Sequence, residues 1–300
     1  MSYEVLARKY RPSCFEEVIG QEHVVRALVN SIESEKIHQA FIFSGTRGVG
    51  KTTIARILAK CLNCESKTKP TSVPCNKCSN TNEITAGRSV DFLEIDAASN
   101  TQVEKIRDLI ETVEYKPAKG RYKIFLIDEV HMLSPASFNA LLKTLEEPPQ
   151  HIVFIFATTN PEKIPKTVQS RCLQLNLKTV NEEMLSNHLN KILKKEKIKH
   201  DGESTQLISK SANGSVRDAL TILDQAIAHG NGELNSNEVK KLLGTIDDSL
   251  LFELLEGVVD GDGKKVFDKL VEIEQLLPEY DVILRDLSLI HISEPTRHAS

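Results

Sequence analysis

Residues Gly45-Thr46-Arg47-Gly48-Val49-Gly50-Lys51-Thr52 constrain this chain more than any other stretch. They follow a short apolar run, Phe41 to Ser44, and open a helical stretch, Thr53 to Cys61, which is the strand, loop and helix context that G-x-x-x-x-G-K-[ST] requires. Glycines let such a loop curl until its N–H groups face a phosphate, and the helix N-terminus behind it adds a favourable field for anions. Lys51 adds a point charge and the Thr52 hydroxyl a place for Mg²⁺. The expectation is an ATP and Mg²⁺ site lined by residues 45 to 53. A loop of this kind hangs from a parallel sheet, and five apolar runs supply strands: Ala40 to Ser44, Val90 to Asp96, Lys123 to Ile127, Ile152 to Ala157 and Cys172 to Leu177. Their near-continuous hydrophobicity suits strands buried on both faces by helices, an α/β core.

A second run, Ile124-Phe-Leu-Ile-Asp128-Glu129, ends an apolar strand in two carboxylates. Asp128 can orient Mg²⁺ and Glu129 can polarise an attacking water; alone, the pair fits a solvated strand end equally well. Thr158, Thr159 and Asn160 end the next strand, where a hydroxyl or amide meets a γ-phosphate or its water; a turn before Pro161 is the other reading. Beyond Val180 the pattern is helical throughout: Asn181 to Glu196, Glu203 to Ala212, Val216 to Ala228 and Ser236 to Leu243, then Ser249 to Val259 and Lys264 to Leu277. The closing SLIHISEPTRHAS drops the amphipathic pattern and resembles translated adapter sequence, so residues 288 to 300 are expected to be a non-native tail.

At 27% charged residues and a net charge of −4, the chain has no global basic field, so any DNA contact must be local. The N-terminus has no apolar leader and no window approaches a membrane span, which points to a cytoplasmic protein without membrane partners. Six cysteines do not form a secreted framework, and three sit at metal-like spacing.

The succession LARKYRP, GQEHV, FSGTRGVGKT, LNC, EIDAASN, LIDEVHMLS, NALLKTLEEPP, ATTN, SRC, GSVRDAL and LDQAIA resembles the gamma/tau clamp-loader subunits of bacterial DNA polymerase III from Ser2 to about Leu287. The resemblance implies an AAA+ P-loop core over residues 1 to 178, a three-helix lid over 179 to 243, and over 244 to 287 the start of a helical collar that holds a pentamer together. It implies an ATPase that loads the sliding clamp onto primer-template DNA within the DNA-directed DNA polymerase holoenzyme, alongside other clamp-loader subunits and further copies of itself. By the same resemblance Thr158 is the first sensor, Arg217 the second sensor in the lid, and Arg171 the arginine finger acting on a neighbour's ATP. Arg11 and Pro12 line the adenine side. ATP-silent subunits of the family lose the P-loop lysine, whereas this chain keeps Gly50, Lys51, Thr52, Asp128 and Glu129. A branch-migration helicase is the other AAA+ alternative, and SRC and LLKTLEEPP resemble clamp loaders instead.

Cys64, Cys75 and Cys78 match the family's zinc module, inserted over residues 61 to 81, but its fourth cysteine falls on Thr81. A neutral hydroxyl is a poor Zn²⁺ ligand, so Cys61 or a water takes the fourth place, or the thiols are simply buried. Cys14 and Cys172 read as packing residues. Ala97 to Thr101, ahead of a helix over Gln102 to Val113, offers N–H groups that could accept DNA phosphates, or plain caps. Lys105 and Lys143 are further DNA candidates or solvated charges.

Overall fold

A computed structural model describes residues 4–99, 111–230, 232–244, 248–274, 283, 284 and 288. The helix expected at Gln102 to Val113 lies, with Lys105, outside the described residues except at its end, where Thr112–Glu114 is a 3-10 turn. Nearly all of the expected tail lies outside them too. The chain divides into two compact units, residues 1–185 with 212–220, and residues 186–211 with 221–300.

The first unit is built on five parallel strands, β1 Ala40–Ser44, β2 Phe92–Asp96, β3 Lys123–Asp128, β4 Ile152–Thr158 and β5 Leu173–Asn176, in the order β2-β3-β4-β1-β5. Register is set by Ser44 beside Thr158, Ile127 beside Phe156 and Ser44 beside Asn176. Side chains alternate across the sheet, so Phe41, Phe43, Ile124, Leu126, Val153 and Ile155 pack on one face. Ile42, Phe125, Ile127, Phe154 and Phe156 pack on the other, with Phe154 stacked on Phe125 at 5.3 Å between ring centroids. Both faces are covered, which is why the three central strands read as unbroken apolar runs, while edge strands β2 and β5 alternate less and more exposed positions. The expected strand from Val90 starts later, at Phe92. The Asp91 carboxylate accepts the N–H groups of Ala118, Lys119 and Gly120 at 2.7, 2.8 and 2.7 Å and holds that corner as a loop.

Helix Lys51–Asn63 lies against the first face with Ile54, Ile57, Leu58, Cys61 and Leu62 buried. Its far end is locked by two side chains. Asn63 Oδ1 accepts N–H from Arg121 and Tyr122 at 3.1 and 2.9 Å, while its amide donates to the Tyr122 carbonyl at 2.8 Å. The Arg121 guanidinium donates to the carbonyls of Leu62, Cys64 and Lys67. A helix end left with bare carbonyls is thereby satisfied. Fully buried Gln21, in the GQEHV stretch, donates to the Lys178 carbonyl at 2.6 Å and accepts its N–H at 3.0 Å, tying the chain start to the segment after β5.

The second unit is helical. Its helices bury Leu189, Ile192, Leu193, Ile208, Leu223, Ala226 and Val239. The Asp201 carboxylate accepts N–H from Ser204 and Ser236, joining two helix starts; burial alone would raise its pKa, and these hydrogen bonds hold it below the carboxylate norm. Helices Asp248–Val259 and Gly263–Glu274 follow, with Leu251, Leu254 and Ile273 between them. No described helix is long and apolar enough to cross a membrane.

Asn63→Ala strips partners from two N–H groups and one carbonyl beside the buried helix end. We expect a loss of about 2–4 kcal/mol in a urea titration of the purified chain. Unchanged stability would show that water replaces the amide without cost.

Candidate functional site

The P-loop leaves the C-terminal end of β1 and closes into helix Lys51–Asn63 through Gly50, which caps the helix at φ 105°, a left-handed backbone that side chains resist. Gly48 is fixed by a neighbour as well, since a Cβ there would collide with Ser215 Oγ. The Arg217 N–H donates to the Gly48 carbonyl at 3.4 Å, so the GSVRD segment sits directly on the loop. Arg217 thus lands beside the P-loop from a point 166 residues after Lys51 in the chain, within the same compact unit.

Lys51 is 6% exposed, and its ammonium donates to the carbonyls of Gly45 and Thr46 at 2.8 and 2.9 Å. Loss of water pushes its pKa down, and the carboxylates of Glu129 and Asp128 pull it back up. Thr52 Oγ1 donates to Asp128 Oδ2 at 3.0 Å, bringing the expected Mg²⁺ hydroxyl and carboxylate to one point. Thr53 Oγ1 accepts from Arg11 Nε at 3.2 Å, which places Arg11 and neighbouring Pro12 at the first turn of the P-loop helix. Thr46 and Arg47 are exposed at the loop tip, and Val49 is buried beneath it.

β4 runs between the loop-bearing β1 and the carboxylate-bearing β3, so Thr158 ends between Gly45 and Glu129. Glu129 stands at φ 47°, a strained conformation for this residue type that turns the chain sharply after the strand. Its Oε2 accepts from Thr159 Oγ1 at 3.2 Å and lies 3.4 Å from His131 Nδ1, which is in turn 3.0 Å from Thr158 Oγ1. Sequence reasoning missed His131 and the Thr159 contact. The one available signal was the position of His131 in the short turn after Asp128-Glu129.

Arg171 stands apart. It precedes β5, and Leu173 is level with Phe41 at the start of β1, so Arg171 lies at the opposite end of the sheet from the P-loop, roughly 20 Å along the strands. Its guanidinium pairs with Glu146 at 2.7 Å and donates to the Thr167 carbonyl at 2.6 Å.

Cys64, Cys75 and Cys78 converge, with their sulfurs all within 4.8 Å of one another. Cys64 Sγ accepts the Cys75 N–H, and Cys75 Sγ accepts those of Lys77 and Cys78, which draws the Cys75 pKa down to about 6. Three converging sulfurs, two of them fed by N–H donors and the third beside the Thr81 hydroxyl, fit a thiolate-bound Zn²⁺. Cys61, the alternative fourth ligand, does not join them. It is buried in the helix, with its thiol on the Ser72 carbonyl at 3.5 Å. Cys172 packs partly buried against the second sheet face, and burial pushes its thiol up to about 12. The phosphate-accepting role expected of Ala97 to Thr101 meets an obstacle, because the N–H groups of Ala97 and Ala98 are taken by the Asp128 carbonyl and Asp96 Oδ1. Ser99 Oγ donates to the same Asp96, while residues 100 and 101 lie outside the described residues. Lys143 is exposed on helix Pro135–Glu146.

A phosphate loop on a parallel sheet, a carboxylate strand one place removed and helices after the core define a P-loop protein of the AAA+ ATPase fold. Residues 20–181 match the family described as DNA polymerase III, delta subunit, and residues 184–232 that described as DNA polymerase III clamp loader subunit, ATPase lid domain. The chain is 53% identical to DNA polymerase III subunit tau of Salmonella typhimurium, covering 97% of this chain and 45% of that one. It is 49% identical to DNA polymerase III subunit gamma of Buchnera aphidicola from Schizaphis graminum, covering 96% and 78%. The chain belongs to the gamma/tau family of DNA polymerase III subunits. It spans less than half the length of the Salmonella and Escherichia coli tau relatives, 45% and 46%. Among solved structures, the Thermotoga maritima RuvB branch migration motor is similar at TM-score 0.60 and 18% identity, covering 92% of this chain and 91% of that one, a likeness of fold alone.

Lys51→Ala removes the loop's only lysine, and calorimetry should find nucleotide affinity largely lost. Glu129→Gln keeps shape and hydrogen-bonding reach but not basicity. We expect unchanged ATP binding and turnover lower by on the order of 10²- to 10⁴-fold. Binding that survives Lys51→Ala, or turnover that survives Glu129→Gln, would remove the corresponding role.

Proposed function

We propose that this chain is the ATP-hydrolysing motor subunit of a DNA polymerase III clamp loader, acting with other loader subunits, a sliding clamp and primer-template DNA. The observation that carries the reading is the 3.0 Å bond from Thr52, in the first turn of helix Lys51–Asn63, to Asp128 at the end of β3, with Lys51 beside it and Glu129 one residue on. An ATP-silent subunit lacks the lysine of this set, and here all four residues stand together. Bound Mg²⁺ supplies charge neutralisation at the phosphates. Around it, Lys51 and the loop backbone hold the phosphates, Thr52 and Asp128 hold the metal, and Glu129 takes the proton of the attacking water. His131 and Thr159 orient the Glu129 carboxylate, and His131 ties it to Thr158, so a shift at the γ-phosphate side of β4 is passed to the base. Arg217, set beside the loop by the GSVRD segment, serves as the second sensor. Arg11 and Pro12 flank the base-binding side.

The same reading assigns residues 1 to 178 to the core, 179 to 243 to the lid and 244 to 287 to the start of the collar. An exposed apolar face supports assembly through the last of these: Phe252, Val258, Phe267, Leu270 and Val271 are all more than 40% exposed on two adjacent helices. Such a face favours burial against another protein surface.

Arg171 acts in trans in this scheme, because the sheet separates it from its own P-loop and leaves it on the surface, paired with Glu146. Turnover by wild-type loader should rise when clamp and primed DNA are added together. Arg171→Ala should leave ATP affinity of the single chain intact and suppress stimulated turnover by on the order of 10³-fold or more. In loaders that mix Arg171→Ala with Lys51→Ala subunits, turnover should follow the number of interfaces pairing an intact Lys51 with a neighbour's intact Arg171. A rate that instead follows Arg171 of the ATP-binding chain itself would overturn the trans role.

A further inference from the structure

Away from the phosphate loop, Cys64, Cys75 and Cys78 are the group among the described residues whose geometry suits a metal ion. Cys64 is fully buried and the other two are partly exposed. Thr81 follows Cys78 by the interval that separates Cys78 from Cys75. It is fully buried, with its hydroxyl 3.2 Å from Cys78 Sγ and donating to the Cys78 carbonyl at 3.1 Å. No carboxylate or imidazole joins the three sulfurs among the described residues. Nearby Glu65 accepts the Asn80 N–H instead. A neutral hydroxyl does not compete with thiolate, imidazole or carboxylate for Zn²⁺, and sites with three protein ligands keep an exchangeable fourth position where structural sites are closed by four.

The segment that carries these thiols also has a framework of its own. Arg121 holds the carbonyls of Leu62, Cys64 and Lys67, Asn80 donates to the Asn63 carbonyl at 3.1 Å, the Thr71 N–H reaches the Cys61 carbonyl at 3.1 Å, and Ile84 enters the sheet core. Lys60, nearly buried, donates to Asn76 at 3.2 Å. None of these bonds passes through a metal.

We propose that Cys64, Cys75 and Cys78 bind one Zn²⁺ as a three-thiolate site whose fourth position, beside Thr81, is open to a small exogenous ligand, so that the ion exchanges while the fold stays intact. Losing a direct ligand should weaken retention by at least the roughly 10- to 100-fold that loss of an outer-shell partner costs. The test uses the full chain, stripped and reloaded with Co²⁺ or Zn²⁺, beside Thr81→Cys. A small thiol or imidazole should shift the visible Co²⁺ spectrum of the wild type and leave that of Thr81→Cys unmoved. Zn²⁺ should pass to a chromophoric chelator on the order of tenfold or more faster from the wild type. The stripped wild type should keep its far-ultraviolet dichroism. Four results overturn the proposal: no metal bound by the wild type, metal bound only by Thr81→Cys, a wild-type Co²⁺ spectrum indifferent to added ligand, or unfolding on stripping. If Thr81→Cys does not fold, the ligand-induced shift in the wild type decides alone. None of these readouts involves ATP turnover, so the outcome is independent of the proposed motor role.

Discussion

Everything at the nucleotide site depends on one strand standing between two others. β4 pairs with β1 on one side and β3 on the other, and through those two ladders the phosphate loop and the carboxylate pair are held one strand apart. The gap is narrow enough for Thr52 to reach Asp128 across it, yet leaves Thr158 at the end of β4 between the two halves. Parallel ladders need crossover helices, so both faces of the sheet are covered and the ends of its strands collect the polar work. The buried aromatic stack of Phe125, Phe154 and Phe156 fills the second face at the level where β3 and β4 must stay in register.

Helix Lys51–Asn63 joins two regions of different chemistry. Its first turn carries the lysine and hydroxyls of the phosphate loop, and its last turn runs into Asn63 and Cys64, where the cysteine segment begins. Asn63 and Arg121 fasten that end to the corner before β3, so the helix is held at both ends by the strands that carry the site. This anchorage gives a physical reason why the cysteine segment can tolerate a threonine where a fourth thiol would close a metal site. The segment rests on hydrogen bonds to rigid backbone, and its fold does not hang on a single ion.

The geometry around Glu129 is that of a carboxylate under restraint. A left-handed backbone, the Thr159 hydroxyl and the His131 ring together fix where its carboxylate lies, and the same ring touches Thr158. Arg171, by contrast, is held by Glu146 at the far end of the sheet, in a solvent-exposed pair of the kind that contributes little to stability and is readily exchanged for another anion. One chain therefore carries the phosphate loop and the carboxylate pair at one end of its sheet and Arg171 on the surface at the other.

The phosphate loop, the carboxylate strand and the succession of strands and helices were legible in the sequence because each is local: a glycine spacing, an apolar run, a period of three and four. So were Lys51, Thr52, Asp128 and Glu129 as candidates, because each adjoins one of those elements. Strand order was not, since apolar runs of equal character do not say which neighbours which, and it took the folded sheet to put β4 in the centre and Arg171 at the wrong end for its own loop. The same holds for His131 on Glu129 and Thr158, for Ser215 closing over Gly48, and for Asp96 claiming the N–H of Ala98 that looked free for a phosphate. Spacing and the family resemblance marked three cysteines as candidate ligands and left Cys61 open as a fourth. Only the packing of its helix against the sheet, which turns that thiol inward to the Ser72 carbonyl, removed it and left the Thr81 hydroxyl beside Cys78. Sequence determines what a segment can form by itself; contacts between segments far apart in the chain are decided by burial and hydrogen-bond satisfaction across the whole fold.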